Sequence, residues 1–167
     1  MRIKKAMIFA AGFGTRLRPL TTHLPKPLVP ILNRPLLEHH LEALASLGIE
    51  EVVINLHHLP EMIREHLGDG KRWGIRIAYS LESPDLLGTG GGLSKVHDFF
   101  IGEPLFLVVN GDILHRIDLK AALEHHCEQN KAATLILRPH PGDPKVGSIG
   151  VDKEGNVLRV PDMEENA

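Results

Sequence analysis

The stretch Ala11-Gly-Phe-Gly-Thr-Arg-Leu-Arg-Pro-Leu-Thr-Thr-His-Leu-Pro-Lys-Pro-Leu28 gathers two glycines and three cations into one segment. Gly12 and Gly14 let the backbone approach a ligand closely, with amides free to point at an anion. Arg16, Arg18 and Lys26 add two guanidinium groups and an ammonium, so the segment has the composition a polyphosphate needs. Pro25 and Pro27 stiffen the backbone around Lys26 and reduce the entropy lost when its ammonium docks. Thr15 offers a hydroxyl that either donates to a phosphate or caps a turn. The pattern is not a dinucleotide fingerprint, because Leu17 stands where the third glycine belongs. It is not a P-loop, because no Gly-Lys-Ser or Gly-Lys-Thr occurs in the chain. A second cluster, Gly88-Thr-Gly-Gly-Gly92, leaves room for backbone contacts to the edge of a purine or pyrimidine. Asp112 follows the most apolar segment of the chain, at an end where a carboxylate has no packing role. Magnesium takes one or two such carboxylates and fills its octahedron with phosphate and water.

Other chemistries are excluded by composition. Nineteen Lys and Arg against twenty-one Asp and Glu give a net charge of −2, which removes any electrostatic grip on nucleic acid or anionic lipid. Aromatic residues make up 4%, too few for a platform that stacks single-stranded bases. Three of the histidine pairs, His39-His40, His57-His58 and His125-His126, are adjacent in sequence. No two histidines stand at i,i+4, so a helical zinc site is absent, and they read as surface and helix-face residues. Cys127 is the only cysteine, which rules out an internal disulfide and a cysteine metal cluster. It is expected to be half-buried and inert. The apolar run near the N-terminus ends at Gly12, too short to span a bilayer and a poor signal peptide. A cytoplasmic protein acting on a small substrate is the expectation.

The elements that must position these loops follow from periodicity. Continuous apolar runs over 5–11, 51–55 and 105–109 predict strands buried on both faces, and alternation over 75–80 predicts another. Leu37, Leu41, Leu44, Ala45 and Leu47 predict a helix stopped by Gly48. Pro60 opens a second helix, with Met62, Ile63 and Leu67 facing inward. The glycines at 88–92 lead into a third helix carrying Leu93, Val96 and Phe99. A helix over 119–129, a fifth strand over 134–138, and a hairpin of 148–151 with 156–160 complete the series. Alternating strand and helix predicts a mostly parallel sheet covered on both faces. Ligands of such sheets bind beyond the carboxyl ends of the strands, so the loops at 11–35, 82–92 and 110–117 should share a rim. The segment between the first strand and first helix is expected to be a long loop.

Phe9-Ala-Ala-Gly-Phe-Gly-Thr-Arg-Leu-Arg-Pro-Leu-Thr21 followed by Pro25-Lys-Pro-Leu28 closely resembles the signature of sugar-1-phosphate nucleotidylyltransferases. Leu87-Gly-Thr-Gly-Gly-Gly92 and Val109-Asn-Gly-Asp112 match further motifs of that family in order and separation. Ile54-Asn-Leu-His-His-Leu59 is similar to the mannose-1-phosphate guanylyltransferase and N-acetylmuramate-1-phosphate uridylyltransferase branches. The resemblance runs from about residue 5 to 160. It implies an α/β, Rossmann-like three-layer domain of the glycosyltransferase-A type. It also implies that the segment with Ala10, Ala11, Gly12, Gly14, Thr15 and Arg16 wraps a nucleoside triphosphate, UTP or GTP. Lys26 would touch its phosphates, Thr89 and Gly90 its base and ribose, and Asp112 the catalytic Mg2+. Gly147, in Lys145-Val-Gly147, would approach the sugar. Arg16, Lys26 and Asp112 are the catalytic set so implied, for transfer of a nucleotidyl group to a sugar 1-phosphate with release of pyrophosphate. Two alternatives stay open: a regulatory nucleotide-binding module without turnover, and a transferase with a non-sugar acceptor such as phosphocholine. Family members continue well beyond such a segment, so 1–167 is expected to be a single nucleotidyltransferase domain lacking its C-terminal sugar-binding part. Asp162, Glu164 and Glu165 are then the remaining candidates for a second metal carboxylate. Neither a nucleic-acid nor a membrane partner is implied.

Overall fold

Four of the apolar segments pair side by side in parallel. In a computed structural model, which describes residues 2–129, 131–139, 141–142 and 148–160, they are β1 (Lys5–Phe9), β2 (Glu51–Leu56), β3 (Arg76–Leu81) and β4 (Leu107–Asn110). Their order across the sheet is β3-β2-β1-β4, with Ile8 opposite both Ile54 and Val109 and with Ile54 opposite Tyr79. Helices α1 (Leu36–Leu47), α2 (Pro60–Leu67), α3 (Gly88–Lys95) and α4 (Leu119–Gln129) alternate with the strands.

Strand residues alternate between two cores, which is what a sheet covered on both faces requires. Ala6, Ile8, Val52, Ile54 and Leu56 pack with Leu37, Leu41 and Leu44 of α1 and Ile63 and Leu67 of α2. Met7 and Val53 face the other way, against Val96 and Phe100 beyond α3. Gly48 ends α1 in the left-handed conformation expected of it, at φ 89°. Pro60 occupies the first turn of α2, where its missing N–H costs nothing.

Several details differ from the sequence reading. Met62 points outward rather than into the core, because the short α2 has room for only Ile63 and Leu67 on its inner stripe. The glycines 88–92 do not precede α3 but form its first turns. The stretch between β1 and α1 is less irregular than expected: it holds three 3-10 turns, Thr15–Leu17, Leu20–Thr22 and Lys26–Leu28, and a two-residue ladder of Pro30–Ile31 with Arg34–Pro35.

The chain divides into two compact units, 1–123 and 124–167. In the second, Gly150–Val151 and Val157–Arg159 form the expected antiparallel hairpin, with Asp152 Oδ1 accepting from the Asn156 amide at 2.7 Å. No strand forms over 134–138 among the described residues, and Leu135, Ile136 and Leu137 are exposed. Branched apolar residues favour a pleated surface only where a neighbouring strand takes up their backbone hydrogen bonds, and here none does. Among the described residues no helix is long and apolar enough to cross a membrane.

Candidate nucleotide-binding cleft

The loops that leave β1, β3 and β4 at their carboxyl ends meet around a cleft of about 350 Å³. Its walls are Phe9, Ala10, Ala11, Gly12, Gly14, Thr15, Arg16, Leu17, Lys26 and Pro27 from the first loop. Asn55, Glu82, Leu86, Gly88 and Thr89 form the second side, and Asn110 and Asp112 close the third. The three segments expected to share a rim do so. Of the cations in the first loop, Arg16 and Lys26 line the cleft and Arg18 does not. Gly90 lies one residue beyond the lining Thr89.

Lys26 and Asp112 meet in this cleft, with Nζ 2.6 Å from Oδ2. Gly111 makes that meeting possible. Its N–H donates to the Phe9 carbonyl at 2.9 Å, laying the chain after β4 across the end of β1. A Cβ there would stand 2.7 Å from the same carbonyl and 2.8 Å from Ile8 Cγ2, so no larger residue fits. On the other side Gly14, at φ 64°, lets the loop fold back until a Cβ would stand 3.0 Å from Lys26 Cβ. The Thr21 hydroxyl holds the turn by donating to the Gly14 carbonyl at 2.8 Å. The lysine and the aspartate, 86 residues apart in sequence, are thus placed by backbone closeness at two glycines.

Polar residues that the motif reading passed over also shape the cleft. Asn55, the last polar position in the buried β2, is 3% exposed, and Glu82 just after β3 is 1% exposed. Asn55 Oδ1 accepts from the Ala10 amide at 2.7 Å, and its Nδ2 donates to Glu82 Oε1 at 2.8 Å. Glu82 Oε2 accepts from the Leu87 amide at 2.9 Å. Ala10 therefore lines the cleft with its N–H already engaged. In the sequence Asn55 stands inside Ile54-Asn-Leu-His-His-Leu59, where it carried a resemblance but no site role, and Glu82 stands just after an alternating run. The histidines divide: His23, His66, His97 and His125 are exposed as expected, whereas three others are drawn inward. His57 and His58 are half-buried and bond to loop carbonyls, while His40 of α1 is buried, 5.5 Å from the His115 ring, with its Nε2 unpartnered. Burial pushes the His40 imidazole down to about 4.

Asp112 is the exposed carboxylate of the cleft, and the described residues hold no group of three or more His, Cys, Asp or Glu side chains that could bind a metal. One carboxylate suits Mg2+ that arrives with phosphate oxygens and water, not a preformed cage. Gly147 and the candidate second carboxylates Asp162, Glu164 and Glu165 lie outside the described residues.

The family described as Nucleotidyl transferase matches residues 5–165 of this chain. A UTP--glucose-1-phosphate uridylyltransferase of Synechocystis sp. is 42% identical over 92% of this chain and 42% of its own length. An N-acetylmuramate alpha-1-phosphate uridylyltransferase of Neisseria meningitidis is 48% identical over 72% of the chain and 52% of its own length. Among solved structures, HddC from Yersinia pseudotuberculosis complexed with GMP-PN shares the fold at a TM-score of 0.72. It is 22% identical, covering 95% of this chain and 68% of that one. The chain belongs to the nucleotidyl transferase family, among the sugar-1-phosphate nucleotidylyltransferases that its motifs resemble. It spans about half the length, or less, of these curated relatives.

Proposed function

We propose that the protein transfers a nucleoside monophosphate from UTP or GTP to a sugar 1-phosphate and releases pyrophosphate. The observation that carries this reading is the ion pair of Lys26 and Asp112 inside a cleft that Gly12, Gly14 and Gly88 also line. An oxygen of the sugar phosphate attacks the α-phosphorus in line, a new P–O bond forms, and the bond to the β-phosphate oxygen breaks. Arg16 and the amides of residues 12–16 hold the leaving phosphates, and Lys26 neutralises charge that develops on the α-phosphate. Asp112 is the residue that would hold Mg2+, which when bound neutralises further charge on the phosphates. On this reading Thr89 and Gly90 contact the base and ribose, and Gly147, outside the described residues, is the residue that the family resemblance assigns to the sugar. Most of the acceleration on this reading is positioning and charge neutralisation rather than covalent catalysis.

The two uridylyltransferases named above support the choice of a uridine nucleotide, and the motif resemblance to mannose-1-phosphate guanylyltransferases keeps guanosine as the alternative. The test is calorimetric titration with UTP, GTP and NAD in the presence of Mg2+, followed by pyrophosphate release across a panel of sugar phosphates. A triphosphate should bind more tightly than NAD, and one sugar phosphate should drive release. Tighter binding of NAD overturns the reading, as does triphosphate binding without release on any acceptor; release on a phosphocholine-type acceptor alone would replace the sugar.

A further inference from the structure

Residues 55–58 leave the end of β2, between the loop that follows β1 and the loop that follows β3. Every polar side chain in this stretch is spent on one of those two loops. Asn55 bonds to the Ala10 amide and to Glu82, as described. His57 Nδ1 lies 2.8 Å from the Glu82 carbonyl, and His58 Nε2 lies 2.8 Å from the Thr21 carbonyl. A carbonyl only accepts, so both ring nitrogens carry the proton. Thr21 passes the restraint on to Gly14 through its hydroxyl. The Phe13 ring packs against both imidazoles, at 5.0 Å from His57 and 5.8 Å from His58.

The fold itself does not need this. An apolar side chain would serve a buried strand end at least as well, and a buried amide or carboxylate is costly unless every bond is made. Here they are made: Asn55 reaches one loop through the Ala10 amide and the other through Glu82, whose second oxygen is held by the Leu87 amide of its own loop. Gly92 closes the arrangement from α3, where a Cβ would stand 2.8 Å from Glu82 Oε1 and 3.2 Å from Asn55 Nδ2.

We propose that Asn55, His57 and Glu82 are positioning residues that lock the phosphate-side loop and the base-side loop in one relative arrangement, with Asn55 at the hub. This rests on the nucleotide reading above. The phosphates and the base of a nucleotide are a fixed distance apart, so a ligand that engages both loops gains from their being held in register before it binds. Inorganic tripolyphosphate engages the first loop alone and gains nothing from the lock.

Asn55→Asp tests the lock selectively. The new carboxylate still accepts from the Ala10 amide, but it faces Glu82 acceptor to acceptor. Glu82→Gln in the same chain reverses donor and acceptor: the Gln amide donates to Asp and its oxygen accepts from the Leu87 N–H, which restores the network. Calorimetry with UTP, GTP and tripolyphosphate, each with Mg2+, reads the outcome. Asn55→Asp should weaken the better triphosphate by about tenfold or more while tripolyphosphate stays within about twofold, and the double variant should recover most of the loss. His57→Phe keeps the ring against Phe13 and loses the bond to the Glu82 carbonyl. It should show the same pattern more weakly, and it decides the matter if Asn55→Asp fails to fold. Equal weakening of triphosphate and tripolyphosphate, no weakening, or no recovery in the double variant overturns the proposal. A parent chain that binds no triphosphate overturns the nucleotide reading instead, and the two failures are seen in different proteins.

Discussion

The loop after β1 and the first turns of α3 are both glycine-rich and line the same cleft, yet their glycines meet different needs. Gly12 has open space where its Cβ would stand, so the missing side chain serves nothing within the chain itself. Gly14, two residues on, is crowded by Lys26 Cβ at 3.0 Å and Thr21 Cγ2 at 3.1 Å. Across the cleft Gly90 is open, whereas Gly91 is pressed by Leu87 Cβ at 2.9 Å and Gly92 by Glu82 and Asn55. Each segment thus combines a glycine that leaves room for a ligand with one that allows close packing. They differ in what is packed: a cation-bearing turn in the loop, and a buried polar pair under α3. A run of glycines in a sequence does not distinguish these uses.

Lys26→Ala tests the chemical end of the loop and carries the largest expected effect. Loss of a charge-assisted phosphate contact should lower turnover by about one to two decades, or ~1.5–3 kcal/mol. Its ion pair with Asp112 is partly exposed, so the melting temperature should move little. Unchanged pyrophosphate release would remove Lys26 from the mechanism. Next comes Gly92→Ala, which drives a methyl into Glu82 and Asn55. Thermal or urea unfolding should show a loss of about 1–3 kcal/mol; an unaffected midpoint would mean that the polar pair yields easily. Gly12→Ala should do the opposite, leaving unfolding as it was and weakening triphosphate binding by about tenfold, or ~1.4 kcal/mol. If it also melts early, the open space beside Gly12 is not reserved for a ligand. The smallest effect belongs to Gly90→Ala, an open site inside a helix, where a gain of about 0.5–1 kcal/mol in stability is expected. Reduced stability there would erase the contrast between Gly90 and Gly92.

The strands and helices of 1–129 were legible because their signals are local. Continuous apolar runs mark β1, β2 and β4, Gly48 ends α1, and Pro60 starts α2. The loops of the cleft were legible through glycine, lysine and aspartate in recognisable order. What was hidden depends on residues distant in sequence. Four glycines give α3 poor intrinsic propensity, and the packing of Gly92 on Glu82 and Asn55 is visible only in three dimensions. The hydrogen bonds of Asn55 span 45 and 27 residues, and no spacing rule finds them. His57 and His58 read as surface residues because their carbonyl partners, Glu82 and Thr21, are distant in sequence. The 134–138 run failed as a strand for the complementary reason: composition was favourable, but a strand needs a partner.

The contact of Lys26 with Asp112 has a thermodynamic consequence for the proposed function. Before any ligand arrives, each charge is the counter-ion of the other. An anion that takes the ammonium strips the carboxylate of its partner, and a cation that takes the carboxylate frees the ammonium. Each event makes the other more favourable, so triphosphate and divalent cation should show positive heterotropic linkage, equal in both directions. The cleft would then favour the metal–nucleotide complex over either component by itself.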